Sequence, residues 1–204
     1  MKVSFRKIAL FISILTGVFG MIGCGADANV ASNGTANSGS GGSNKPAPNE
    51  FPPLATALAE APFENLDGSK FKVSERKGKV LLLNIWGIWC GPCRAEMPHL
   101  VAMQEQYRDK GLEVIGLNIG DQNLSPESVE AIQNFADNFN PKLNYTLARS
   151  ERASTNEFYK ISGQSAVPQS LVVDREGRLR GVFIGGGPSV IGKMKELVAK
   201  TMAE

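Results

Sequence analysis

Few folds can accept the continuous apolar run Lys79-Val80-Leu81-Leu82-Leu83-Asn84-Ile85, which leads within a few residues to Cys90-Gly91-Pro92-Cys93. A run without polar alternation fits a strand buried on both faces, so other elements must cover both sides of its sheet. Beyond the cysteines, Met97, Leu100, Val101, Met103 and Tyr107 recur at helical spacing over Arg94–Lys110, with Gly111 as a stop. The cysteine pair therefore lies between a central strand and a helix N-terminus. Unpaired N–H groups and a partial positive charge at that end favour the thiolate of Cys90. Cys93, one turn on, has the spacing to attack a mixed disulfide formed at Cys90, and Pro92 sets the first turn without wasting a donor. Cys90 is the expected exposed nucleophile and Cys93 the less exposed resolving thiol.

Two other uses of a Cys-x-x-Cys are weaker here. A zinc site wants four ligands, and beyond this pair the chain offers only Cys24 and one histidine, His99. A structural disulfide is chemically sound outside the cytoplasm, yet a two-residue loop constrains the unfolded chain very little. The pair is read as redox-active, with no metal and no cofactor implied.

The rest of the chain alternates between strand and helix patterns. Leu112–Asn118 reads as a second buried strand. Ser125-Pro126-Glu127 opens a helix running to about Phe139, with Ser125 as cap and Pro126 at the first helical position. Leu143–Leu147 is expected as a short strand and Glu151–Lys160 as a short helix. Ser170–Val173 and Leu179–Ile184 are strands joined by Asp174-Arg175-Glu176-Gly177, with glycine in the turn. Pro188–Met202 closes the chain as an amphipathic helix, and Phe63–Val73 around Asp67-Gly68 reads as a small accessory hairpin. This order predicts an α/β fold, a mixed central sheet with helices on both faces.

The N-terminus carries a different message. Lys2, Arg6 and Lys7 precede the apolar stretch Ile8–Ile22, which is short for a bilayer crossing but suits the core of an export signal. Removing residues 1–23 takes 3 of the 22 basic residues and leaves 19 against 20 acidic ones, a balance that gives no electrostatic case for nucleic-acid binding. Met21-Ile22-Gly23-Cys24 resembles the bacterial lipoprotein processing box, with Cys24 as the lipidated residue and Met21 where leucine is usual. An uncleaved anchor and a cleaved, released chain are the two other readings, and all three place the domain outside the cytoplasm. Of residues 25–49, all but Asp27, Val30 and Lys45 are Gly, Ala, Ser, Thr, Asn or Pro. Such a stretch buries too little apolar surface to offset its ordering entropy, and its reach as a flexible coil is about 25–30 Å. The organisation expected is thus a signal over 1–23, a lipidated cysteine and tether over 24–53, and one domain over 54–204.

Asn84-Ile85-Trp86-Gly87-Ile88-Trp89-Cys90-Gly91-Pro92-Cys93-Arg94-Ala95-Glu96-Met97-Pro98 resembles the active-site segment of the TlpA/ResA-like thioredoxin family. Val167-Pro168-Gln169-Ser170-Leu171-Val172-Val173-Asp174 resembles that family's second active-site segment, so the likeness spans about Leu54–Met202. It implies a thioredoxin-like fold with Gly120–Pro141 as an internal insertion. It also implies a membrane-tethered or periplasmic reductase of disulfides, often in apocytochrome c, recharged by a membrane thiol transporter of the DsbD/CcdA type. Pro168 matches a cis-proline facing the cysteines, which would leave the backbone of Val167 to pair with an extended substrate. Glu96 matches an active-site glutamate that could exchange protons with the cysteines, although an acid near a helix start is also favoured by the dipole alone. Pro98 matches a helix-kinking proline, and Gly185–Gly187 resemble a loop passing close to the site.

Trp86 and Trp89 can line a substrate groove or simply pack in the core. Asn84 stands where many thioredoxins carry a buried acid; it cannot accept a proton, so Glu96 or water must serve. Electrons could flow either way, and the reductase direction is the one favoured. The Gly-Pro dipeptide resembles that of the reducing thioredoxins, while an oxidase or isomerase, a peroxide-reducing enzyme or a tethered chaperone are the rivals. The peroxidase reading lacks the Pro-x-x-x-Thr-x-x-Cys setting around Cys90.

Overall fold

The apolar run ahead of the cysteines is a strand buried along its whole length, Val80–Trp86. It belongs to a computed structural model that describes residues 51–204. The export segment, Cys24 and the tether as far as residue 50 lie outside the described residues. In chain order the elements are α1 (Thr56–Ala59), β1 (Phe63–Asn65), β2 (Lys70–Phe71), β3 (Val80–Trp86), α2 (Gly91–Tyr107), β4 (Leu112–Asn118), α3 (Val129–Asp137), β5 (Thr146–Arg149), α4 (Arg152–Ser162), β6 (Gln169–Val173), β7 (Leu179–Ile184) and α5 (Pro188–Met202). The seven strands form one mixed sheet in the order β2-β1-β5-β4-β3-β6-β7. Within it β3 is parallel to β4 and antiparallel to β6.

The two-residue period of β3 divides the core. Leu81, Leu83 and Ile85 pack with Leu58 of α1 and Phe158 of α4. Val80 and Leu82 point the other way, into Leu100 and Met103 of α2 and Met194 and Val198 of α5. Trp86 continues on that second face, among Met97 of α2 and Ile132 of α3. Helices therefore cover both faces, as the unbroken apolar run demands. With Leu82 fully buried, truncation to alanine there costs about 2–5 kcal/mol.

Two expectations about the layout need correction, and a third gains its place in the sheet. The helix after β4 starts at Val129, capped by Ser128, whose Oγ accepts from the Ala131 N–H at 3.1 Å. Ser125 is held in a tight loop instead: the Asp121 carboxylate accepts from the N–H groups of Asn123 (2.8 Å) and Ser125 (2.9 Å). The strand expected over Leu143–Leu147 lies at Thr146–Arg149, because Leu143 turns into the cluster beneath α3 rather than joining the ladder with β4. The accessory hairpin is present as β1 and β2, and it adds to the edge of the main sheet: β1 pairs antiparallel with β5, and Glu64 meets Arg149 at 2.5 Å.

Ordered contacts also begin earlier than Leu54. The Leu179 N–H donates to Pro52 O at 2.9 Å, Pro53 bridges Arg178, and the Arg180 guanidinium lies 4.0 Å from the centre of the Phe51 ring. Among the described residues no helix is long and apolar enough to cross a membrane.

Candidate active site

Cys90 and Cys93 are joined as a disulfide at the N-terminus of α2. The helix starts at Gly91 rather than Arg94, which makes Cys90 its N-cap, and the Cys90 Sγ accepts from the Cys93 N–H at 3.2 Å. Pro92 sits in the first turn, where a missing N–H costs nothing. The cap geometry aims the helix N-terminus at sulfur, the atom on which negative charge would develop. The expected contrast in exposure is small. Cys90 is 3% exposed and Cys93 0%, because Ile88 and Val167 close over the same cluster. An exposed nucleophile is therefore not what this disulfide form presents.

Because α2 begins earlier than expected, Glu96 falls in its second turn and faces the sheet, 1% exposed. It is no surface acid paired with a helix dipole. Its Oε1 accepts from Asn84 Nδ2 at 2.6 Å, and the same amide lies 3.0 Å from Ser170 Oγ. Asn84 and Ser170 are opposed across β3 and β6, and Gly116 opposes Asn84 from β4. Burial pushes the Glu96 carboxyl up to about 7, with the Asn84 hydrogen bond pulling it back only in part. Asn84 thus does more than close a proton route: it supplies the donor that holds Glu96. One clue was legible, since a lone polar residue in a buried strand demands a partner on the element above it. Ser170 was not singled out, because its hydroxyl is indistinguishable in sequence from an ordinary strand serine.

The second segment meets the first from the side. The Val167–Pro168 bond is cis, and the Gly185 N–H donates to Pro168 O at 2.8 Å. A Cβ on Gly186 would lie 2.6 Å from Pro92 O and 3.5 Å from Pro168 Cγ, so only glycine lets that loop touch both segments. Of the loop Gly185–Gly187, Gly185 meets the site through the Pro168 carbonyl and Gly186 through Pro92.

The two tryptophans part company. Trp89 is 40% exposed, the one exposed large hydrophobic among the described residues, and its Nε1 donates to Gly120 O at 2.9 Å. Trp86 is wholly buried, its ring 5.2 Å from that of Phe135. His99 lies along α2 with its Nδ1 3.2 Å from Lys195 Nζ and joins no site. No group of three or more His, Cys, Asp or Glu able to hold a metal occurs among the described residues.

A disulfide capping a helix, set after a buried parallel strand and beside a cis-proline loop, defines a thioredoxin-like fold with a dithiol site. The Redoxin family matches residues 44–198, and the chain belongs to it. The thiol-disulfide oxidoreductase ResA of Bacillus thuringiensis subsp. konkukian is 30% identical over 115 residues, covering 56% of this chain and 60% of that protein. ResA of Bacillus subtilis is 27% identical over 123 residues, 60% of this chain and 63% of the relative. The chain thus matches about three-fifths of the length of these relatives. Among solved structures, a thiol:disulfide interchange protein of the thioredoxin family from Chlorobium tepidum superposes with a TM-score of 0.58 at 23% identity, covering 76% of this chain and 99% of that one. A secreted Mycobacterium tuberculosis disulfide oxidoreductase homologous to E. coli DsbE gives a TM-score of 0.53 at 19% identity, covering 72% and 99%.

Proposed function

We propose that this protein is an exported thiol–disulfide oxidoreductase that reduces disulfides in other exported proteins, with Cys90 as nucleophile and Cys93 as resolving thiol. The observation that carries the reading is the Cys90–Cys93 disulfide at the start of α2 with a buried carboxyl, Glu96, one turn further along the helix. The ResA relatives, whose name states this chemistry, support it.

The electron count is simple. The Cys90 thiolate attacks one sulfur of the substrate disulfide, forming a mixed disulfide and releasing one substrate thiolate. The Glu96 carboxylate takes the proton of Cys93, and the Cys93 thiolate attacks the Cys90 sulfur. The Cys90–Cys93 disulfide forms, and the second substrate thiolate leaves with the electron pair. Protons from Glu96 and water neutralise the two product thiolates. A carboxyl titrating near 7 suits this exchange, since both of its forms are populated at neutral pH. Val167 and Pro168 would hold an extended substrate segment beside the cysteines.

Lipidation at Cys24 would keep the domain at a membrane outside the cytoplasm, within reach of a thiol transporter of the DsbD/CcdA type that returns two electrons. Apocytochrome c awaiting haem is the substrate class the family resemblance favours.

Trp89, exposed beside the site, would provide the apolar contact for a protein substrate. Trp89→Ala is expected to raise KM for a disulfide-bonded protein about tenfold while leaving reduction of oxidised glutathione within about twofold. Equal losses on both substrates would remove Trp89 from substrate binding.

The direction is tested by the reduction potential of the Cys90–Cys93 couple, equilibrated against glutathione or dithiothreitol. A value near or below about −250 mV is expected for a reductase. A value above about −150 mV would make the protein a disulfide donor instead.

A further inference from the structure

Gln169 heads β6 at a depth where an apolar side chain would be expected: it is 1% exposed and shares a face of the sheet with the wholly buried Leu171. A polar side chain so deep needs partners, and the amide nitrogen finds two. Gln169 Nε2 donates to Gln164 O at 2.7 Å and to Ala166 O at 2.8 Å, while Oε1 is buried with no partner among the described residues. Leucine at this position would leave no polar atom to satisfy. The amide therefore serves the two carbonyls rather than the core.

Both carbonyls belong to the loop between α4 and Pro168. Among the described residues, no hydrogen bond between main-chain groups ties Gln164, Ser165, Ala166 or Val167 to the rest of the protein. Side chains hold them instead. Ser162 Oγ accepts from the Gln164 N–H at 3.2 Å at the start of the loop. At its end the Val167 side chain packs both against the cluster of the two cysteines and against the core around Phe158. Between these two points the Gln169 amide grips the chain from behind, and the main chain of Val167 keeps its own N–H and carbonyl for a partner.

We propose that Gln169 is a positioning residue for substrate: by holding the carbonyls of Gln164 and Ala166 it fixes the main chain of Val167 for pairing with an extended protein segment beside the cysteines. A loop ordered before binding spares the complex that ordering cost, so affinity for a peptide gains while the chemistry at sulfur is unchanged. The inference rests on the proposed pairing of substrate with Val167. It also names the substrates concerned, which are disulfides carried on an extended peptide as opposed to small disulfides without amide groups.

The test compares reduction of insulin with reduction of hydroxyethyl disulfide, which has no peptide group to pair. Gln169→Leu removes both donors and keeps the position filled. It is expected to raise KM for insulin about fivefold or more, leaving kcat and the rate on hydroxyethyl disulfide within about twofold of the native protein. Gln169→Met, unbranched like glutamine and without donors, decides the matter if the leucine variant does not fold. An unchanged KM for insulin in the folded variants, or equal losses on both substrates, overturns the proposal. Should the native protein oxidise thiol peptides and leave insulin intact, the reductase reading fails by itself. A raised KM of the variant for the thiol peptide then supports the role of Gln169, and an unchanged one overturns it.

Discussion

Serine in place of Cys90 is expected to abolish disulfide reduction, with a loss of at least about 10³-fold in turnover of a disulfide-bonded protein. An alcohol at this position is essentially un-ionised at neutral pH, so the helix terminus has no thiolate to stabilise. The variant should nonetheless fold. Cys90 is the N-cap of α2, with its sulfur accepting from the Cys93 N–H, and serine is among the preferred caps for that same bond. Loss of activity can then be assigned to the nucleophile. Cys93→Ser should behave differently: with Cys90 intact and its resolving partner gone, the mixed disulfide with substrate accumulates and appears on a non-reducing gel as an adduct released by dithiothreitol. A Cys90→Ser protein that still supports its biological role would sink the redox reading and leave a binding module. Adducts forming on Cys90→Ser and not on Cys93→Ser would reverse the roles of the two thiols.

What made this site legible beforehand was the agreement of adjacent signals. The run Lys79–Ile85 announced a doubly buried strand, observed at Val80–Trp86, the pattern over Arg94–Lys110 a helix, observed at Gly91–Tyr107, and the cysteines stood at their junction. Leu112–Asn118 and Pro188–Met202 have the bounds read from pattern alone, because a continuous apolar strand and a proline-started amphipathic helix are governed by local chemistry. The failures lie where tertiary contacts choose between equivalent local signals. Ser125 and Ser128 are both good caps; what decides is the Asp121 carboxylate, which takes the Ser125 N–H for its own loop. Leu143 and Leu147 are both good strand residues, but only the second can pair with Gly116 of β4 while the first fills the space under α3. The partners of Glu96 were hidden for a related reason. Asn84 and Ser170 are far apart in sequence, and only the strand register brings them together beneath the helix. The anchoring argument rests on the residue chemistry of positions 1–50 alone, and mass spectrometry of the membrane fraction tests the proposed lipid on Cys24.

Glutamine at position 96 is expected to remove a pH dependence of stability that the native protein shows between about pH 4.5 and 7. The Glu96 carboxyl is 1% exposed and titrates near 7 in the folded chain, against 4.5 when free. A raised carboxyl binds its proton more tightly folded than unfolded, so the folded state is favoured while both forms are protonated. That advantage is fully present below about pH 4.5, is lost progressively as pH rises towards 7, and stays lost above it. A displacement of this size corresponds to about 3 kcal/mol. The amide of glutamine never ionises, yet its oxygen can still accept from Asn84 Nδ2, so packing and the hydrogen bond survive while the proton linkage disappears. The lone histidine contributes with opposite sign: burial first, then the neighbouring Lys195, hold His99 below its ordinary range, and its share cancels when native and variant are subtracted. Urea midpoints of the oxidised proteins at pH 5 and pH 8 give the difference directly. The native midpoint should fall relative to Glu96→Gln as pH rises; parallel behaviour would mean that Glu96 is ionised throughout, and that the carboxyl proposed to take the Cys93 proton has no neutral form to return it from.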